Sequence, residues 1–255
     1  MYNYSTSTGE KFTFPDSLDD ITLQTYIDYV QLTEPTKPKE LAEIERLSQE
    51  MNDAEGEQEI AKAQDEFDAA TAAITDKIMY KKIYPFYARV VAHFADGLTE
   101  EVILGGKKQG DGMNLGNLTY LYHNIVKMLN NPPEPVYSPA IVDKDGETWY
   151  LPQRYMEKAK LIEFAEASQF EENMQNLKEG NWLALPKIMC VLVRKEGELY
   201  SDKLLKREQM FLGWSLQKCL QVAFFLLKRS ETSLLNLKVY TAAQDLTRLK
   251  QESNN

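Results

Sequence analysis

Histidine and cysteine, the side chains that most often carry nucleophilic, acid–base or metal chemistry, occur only twice each, as His93, His123, Cys190 and Cys219. The histidines stand 30 residues apart, and no other histidine or cysteine is spaced to complete a zinc site with them. Both fit ordinary helix positions near a surface. Cys190 lies in the apolar run Ile188-Met189-Cys190-Val191-Leu192, and Cys219 stands beside Leu220. Free cysteines in such settings act as small core hydrophobes rather than nucleophiles. Two cysteines cannot build a disulfide framework, and they fit a reducing compartment. The loop Gly105-Gly106-Lys107-Lys108-Gln109-Gly110-Asp111-Gly112 invites a phosphate-loop reading. A Walker loop, however, needs Gly-Lys followed by Ser or Thr, so that backbone amides and the lysine converge on phosphate. Here Gly110 is followed by Asp111, which would repel phosphate, and no apolar strand precedes the loop. The paired carboxylates Asp19-Asp20, Glu100-Glu101 and Glu171-Glu172 read as helix starts and solvated faces. No catalytic, cofactor-binding or metal-binding residue is therefore expected, and the chain is not expected to be an enzyme.

Composition removes further classes. With 255 residues, 43% hydrophobic and 27% charged, the chain is long enough for one or two domains with cores of their own. The formal charge of −10 argues against general binding to nucleic acid or anionic lipid. The best apolar stretch, Val222 to Leu227, falls far short of the roughly 18–20 residues that span a bilayer. Met1 to Thr8 is polar, so no secretory signal is expected. Tyr80, Tyr84, Phe86, Tyr87 and Phe94 fall at helical spacings and read as core or interface. Stacking on single-stranded nucleic acid would need a basic groove around them, for which Lys77, Lys81, Lys82 and Arg89 supply few charges.

The elements that must position these residues are mostly helical. Lys11 to Phe14 alternates as a short strand before Pro15, and Asp16 to Asp20 supplies caps for a helix over Ile21 to Leu32. From Lys39 to Asp96 helix formers dominate; Gly56 should interrupt the run, and Pro85 should start a new helix or kink this one. Six glycines between Gly97 and Gly116 mark a loop, and Leu118 to Leu129 carries a helical apolar stripe. The Pro-rich stretch 132–139 is the expected linker between an N-terminal helical region, 1–131, and a C-terminal domain, 140–255. That domain should begin with a hairpin, Ile141-Val142-Asp143 and Thr148-Trp149-Tyr150-Leu151, turned at Asp145-Gly146 because glycine tolerates positive φ. Helices are expected over Arg154 to Lys178, Trp182 to Val193, Asp202 to Gly213, Ser215 to Lys228 and Thr232 to Lys250. The expected fold is mainly α: a bundle-like helical C-terminal domain with one β-hairpin, and a long acidic helical arm.

The arm, about 38–68, holds most of the charge asymmetry. Glu34 to Asp68 contains twelve acidic and four basic residues, whereas Lys187 to Lys250 contains twelve basic and six acidic. Leu41, Ile44, Leu47 and Met51 form one narrow apolar seam, the expected partner-binding stripe. An acidic arm with such a stripe is expected to dock on a basic surface of a neighbouring subunit.

The C-terminal third carries a distinctive run. Phe170-Glu171-Glu172-Asn173 is followed by Gly180-Asn181-Trp182-Leu183-Ala184-Leu185-Pro186-Lys187-Ile188-Met189-Cys190-Val191-Leu192, then Gly197-Glu198-Leu199-Tyr200, Arg207 to Phe211, and Val222-Ala223-Phe224-Phe225-Leu226-Leu227. This run, with Phe12 to Val30 and the hairpin, resembles proteins of tailed bacteriophages, crAss-like phages included, that are encoded among structural and tail-assembly genes. The resemblance spans about Phe12 to Val30 and Ala140 to Ser230, with the stretch between Pro38 and Phe67 as an insertion. It brings no catalytic residues. It implies a non-enzymatic virion, neck or tail component, or a tail-assembly factor, found in the virion or in the host cytoplasm during assembly. The implied partners are other phage structural proteins or copies of the chain itself, in an oligomeric assembly. Physically the run reads as packing: Trp182, Leu185 and Pro186 open an apolar helix face, and Phe224 and Phe225 fill the core. The competing expectation is a cytoplasmic acidic binder, a decoy whose carboxylates mimic a phosphate backbone for a host protein.

Overall fold

The computed structural model describes residues 2–5, 10–105, 112–133, 138, 140–151, 182–198, 201 and 203–225. The expected helices Arg154–Lys178 and Thr232–Lys250, and most of the linker, lie outside these residues. The protein is mainly helical, and its described strands are four segments of three or four residues each. The chain divides into two compact units: Met1–Ile21 with Thr25–Asn131, and Thr22–Gln24 with Pro132–Asn255.

The first unit opens with an antiparallel pair, β1 (Tyr2–Ser5) and β2 (Lys11–Phe14), in which Tyr2 faces Phe14 and Ser5 faces Lys11. Phe14 is buried at its end, followed by Leu18 and Ile21. The strand at Lys11–Phe14 thus has a partner that its own alternation did not reveal. Helix α1 (Leu23–Thr33) ends where Thr33 and Thr36 turn their hydroxyls back onto main-chain carbonyls before Pro38. The acidic stretch is helical but in two pieces, α2 (Lys39–Asp53) and α3 (Glu57–Ala72), which pack against each other. Gly56 makes the break, with a φ of 96° that a side chain would disfavour. The arm is therefore a helical hairpin rather than one long rod.

A helical run then begins with the single turn α4 (Asp76–Ile78), passes through a π turn at Met79–Ile83, and continues as α5 (Tyr84–His93). The Tyr84 N–H donates to the Met79 carbonyl, five residues back. Pro85 explains the widening: it lacks an N–H, and its ring crowds the carbonyl four residues earlier, so the turn before it opens. Helix α6 (Glu100–Leu104) is capped by Thr99, whose hydroxyl accepts from Val102 N at 3.3 Å. Helix α7 (Leu115–Asn130) is capped by Asn114, whose side chain accepts from Asn117 N at 2.8 Å. The core of this unit is α5 against α7, with Phe86, Tyr87, Val90 and Val91 meeting Leu118, Leu121, Tyr122 and Ile125.

In the second unit the expected hairpin is present as β3 (Ala140–Val142) and β4 (Thr148–Tyr150), and Gly146 holds a φ of 81° in its turn. Asp143 organises that turn: its carboxylate accepts from Asp145 N and Glu147 N, both at 2.9 Å, and from Trp149 Nε1 at 2.7 Å. Strand β4 is continued by a bridge to Arg194, with Tyr150 N donating to Arg194 O at 2.7 Å. Residues 22 and 23 join this unit through a bridge from Thr22 to Ser215 and the Leu23 N–H on Trp214 O at 2.9 Å. The helices are α8 (Leu185–Leu192), α9 (Glu208–Leu212) and α10 (216–225). Their apolar faces bury Leu185, Ile188, Met189, Phe211, Leu216, Cys219, Val222 and Phe225 around Trp149.

Candidate interaction surface

The side chains with potential chemistry are occupied in packing. His93 Nε2 donates to the Thr25 carbonyl at 2.8 Å, and His123 lies exposed with its edge against Tyr122 and Tyr87. Cys190 and Cys219 are buried; burial pushes the Cys190 thiol up to about 11 and raises Cys219 as well, so both stay protonated at neutral pH. Gly105 closes α6 in the left-handed region, and residues 106–111 of the glycine loop lie outside the described residues. Among the described residues no group of three or more His, Cys, Asp or Glu could hold a metal ion, and no helix is long and apolar enough to cross a membrane.

The surface of the acidic hairpin is built from two different helices. On α2, Leu41 and Leu47 are buried, while Ile44 and Met51 are half-buried. The seam is thus covered within its own unit at two of its four positions. Polar contacts tie the same helix down. Glu45 pairs with Lys37, and Glu40 pairs with Lys82 of the π turn. Arg46 grips Glu43 at 2.6 Å and also pairs with Glu50. Glu45 further faces a tyrosine cluster that sequence spacing did not reveal, contributed by Tyr29 of α1, Tyr87 of α5 and Tyr122 of α7. Tyr87 and Tyr122 stack with centroids 3.7 Å apart. Burial, reinforced by the Glu45 charge, pushes the Tyr29 and Tyr87 phenols up to about 12 and raises Tyr122 too.

Helix α3 is different, for none of its 16 residues is buried. Ala63, Phe67 and Ala70 are half-buried at helical spacing, while Ile60 is 47% exposed amid Glu57, Glu59, Asp65 and Asp68. Its internal polar contacts are Lys62 to Glu66 at 3.7 Å and Gln64 Nε2 to Asp68 at 2.9 Å.

In the second unit the motif residues divide. Leu185, Pro186 and Phe225 are buried, but Trp182 is half-buried and Phe224 is 40% exposed. Adjacent residues on a helix point about 100° apart, so Phe224 and Phe225 cannot both face one core. Trp149 is the centre instead: its ring meets Phe211 and Trp214 edge-on at 5.8 and 5.6 Å, with Lys195 at 5.1 Å and Arg207 at 5.4 Å over it. Arg207 is held by Glu198, with Nη1 to Oε2 at 2.8 Å, and Lys195 pairs with Glu147. Three of the positive charges described in this unit, on Arg194, Lys195 and Arg207, are thereby used internally, Arg194 being buried.

These pairs have a pH signature. The Arg207 guanidinium holds the Glu198 carboxyl below its ordinary range. For Asp143, burial acts upward, but the hydrogen bonds from Trp149, Glu147 and Asp145 outweigh it and hold the carboxyl low. A lowered folded value means the stabilisation is complete above the unfolded carboxylate pKa of about 4 and disappears as pH falls through the folded values. Tryptophan emission of the second unit, which holds all three tryptophans, should therefore be constant from neutral pH to about 5 and shift in a transition below about 4. In Glu198→Gln the contribution of that pair is absent at every pH, so the transition should lose amplitude in stability terms.

No family model, curated protein or solved structure matches the chain.

Proposed function

We propose that this chain is a non-enzymatic structural or tail-assembly protein of a tailed bacteriophage, acting through protein surfaces in the virion or in the host cytoplasm during assembly. The sequence resemblance supplies the class, and one structural observation supports action by contact. A 16-residue helix, α3, buries no side chain and presents an acidic face with an apolar residue in it. A helix this polar leaves most of its surface open to another molecule. The decoy reading gains less from the same hairpin. Glu40, Glu43, Glu45, Glu50 and Glu66 are already paired with Lys82, Arg46, Lys37 and Lys62, which breaks up any phosphate-like array.

The test is mass spectrometry of purified particles and of tail intermediates sedimented from infected cells. Peptides of this chain should appear in one fraction or the other: in particles for a virion subunit, in intermediates for an assembly factor. Absence from both overturns the reading.

A further inference from the structure

The run Asp76 to Lys82 holds three lysines, Lys77, Lys81 and Lys82, against the single acid Asp76. Lys82 is engaged by Glu40, but Lys77 and Lys81 are exposed and make no ion pair among the described residues. Between them Tyr80 is 66% exposed, more than any other large hydrophobic residue described. Its ring is not loose: Tyr84 braces it edge-on at 5.3 Å and 77°. A tyrosine braced in place, with Lys77 and Lys81 as helical neighbours, has less conformational entropy left to lose on binding, and tyrosine is among the residues that anchor protein interfaces.

The complementary chemistry lies on the same chain. On α3, Ile60 is exposed and Glu57 and Glu59 flank it within one turn, so an apolar contact sits beside two carboxylates. The exposure of both Tyr80 and Ile60 means that one copy does not bring its own pair together. We propose that the Lys77–Tyr80–Lys81 ridge receives α3 of a second copy of this chain, with Ile60 on Tyr80 and Glu57 and Glu59 on the lysines. The inference rests on the assembly role proposed above and names one of its contacts. The two surfaces differ, so the contact is head-to-tail and builds rings or open strings rather than a closed twofold dimer.

Sedimentation velocity of the full chain over a concentration series is the test. The parent should form species larger than a monomer. Lys77→Glu with Lys81→Glu, or Glu57→Lys with Glu59→Lys, should each weaken association at least about tenfold, as several opposed surface charges become like charges. Tyr80→Ala should weaken it with no change in charge. Mixing the two double variants should restore assembly, because the first keeps an intact α3 and the second an intact ridge. A parent that stays monomeric, variants that associate like the parent, or a mixture that does not recover overturns the contact. So does loss of single-stranded oligonucleotide binding in the lysine variant with self-association unchanged, which would assign the ridge to nucleic acid. None of these outcomes alters the particle mass spectrometry, so the contact and the assembly role fail separately.

Discussion

Replacing Trp149 by alanine is expected to cost about 3–5 kcal/mol in the second unit, the range for large aromatic side chains removed from packed interiors. Trp149 is 2% exposed and is the largest of the fully buried side chains. Its loss would open a cavity between Phe211 and Trp214, and two cations, Lys195 and Arg207, would lose the ring they lie against. Asp143 would also lose the Nε1 donor at 2.7 Å while keeping its two backbone donors. Trp149→Phe separates the effects, since it retains much of the apolar bulk and removes the hydrogen bond, and should cost about 1–2 kcal/mol. Urea unfolding followed by tryptophan emission, with Trp182 and Trp214 still present, measures both variants. An alanine variant that unfolds at the parent's urea midpoint would falsify the central role given to this ring.

In the first unit the largest single loss is expected at Tyr122. It is 3% exposed, stacked on Tyr87 and edge-on to Phe86 at 6.1 Å. Tyr122→Ala should cost about 3 kcal/mol or more, by the same cavity argument with an added ring–ring contribution. The phenols also set an alkaline limit. A raised folded pKa means the stabilisation is present below the unfolded phenol value of about 10 and is lost as pH rises through the folded values, about 12 for Tyr29 and Tyr87. Spectrophotometric titration should therefore show a set of tyrosines that ionise only together with unfolding at strongly alkaline pH. In Tyr122→Phe that set should shrink by one. Ordinary titration of every tyrosine near pH 10 would show that the cluster is open to water.

What the sequence foretold was local. The hairpin at 140–150 was legible because Asp-Gly demands a particular backbone and because alternation flanks it. The break at Gly56 and the stripe of α7 were legible for similar reasons, each being set within a few residues. Pairings between distant residues were not. Tyr2–Ser5 has no strand signal of its own until Lys11–Phe14 lies beside it. Tyr29, Glu45, Tyr87 and Tyr122 stand on four helices, and no spacing announces that they converge. The basic character of the C-terminal region was visible as a count. That Arg194, Lys195 and Arg207 are spent inside the unit depends on packing. Phe224 and Phe225 illustrate the limit in one dipeptide, since two apolar neighbours on a helix must diverge. The surface of α3 was legible in charge, but which of its residues would be half-covered, Ala63, Phe67 and Ala70, depends on the helix having folded back at Gly56.

The π turn at Met79–Ile83 holds one residue more than a regular turn would need. Loss of a single in-frame codon within it would take out that extra residue but leave Pro85, with no N–H to give, inside the run, so a kink would remain. Phe86, Tyr87, Val90 and Val91 would keep their phase against α7, while everything ahead of the deletion would swing by about 100° around the helix axis. The orientation of Lys77 and Tyr80 would thus change in one discrete step, at the expense of contacts across the deletion such as Glu40 with Lys82 and Thr25 with His93. The one extra residue therefore couples the direction of this exposed ridge to the packing of the helices before it, so that neither can shift alone.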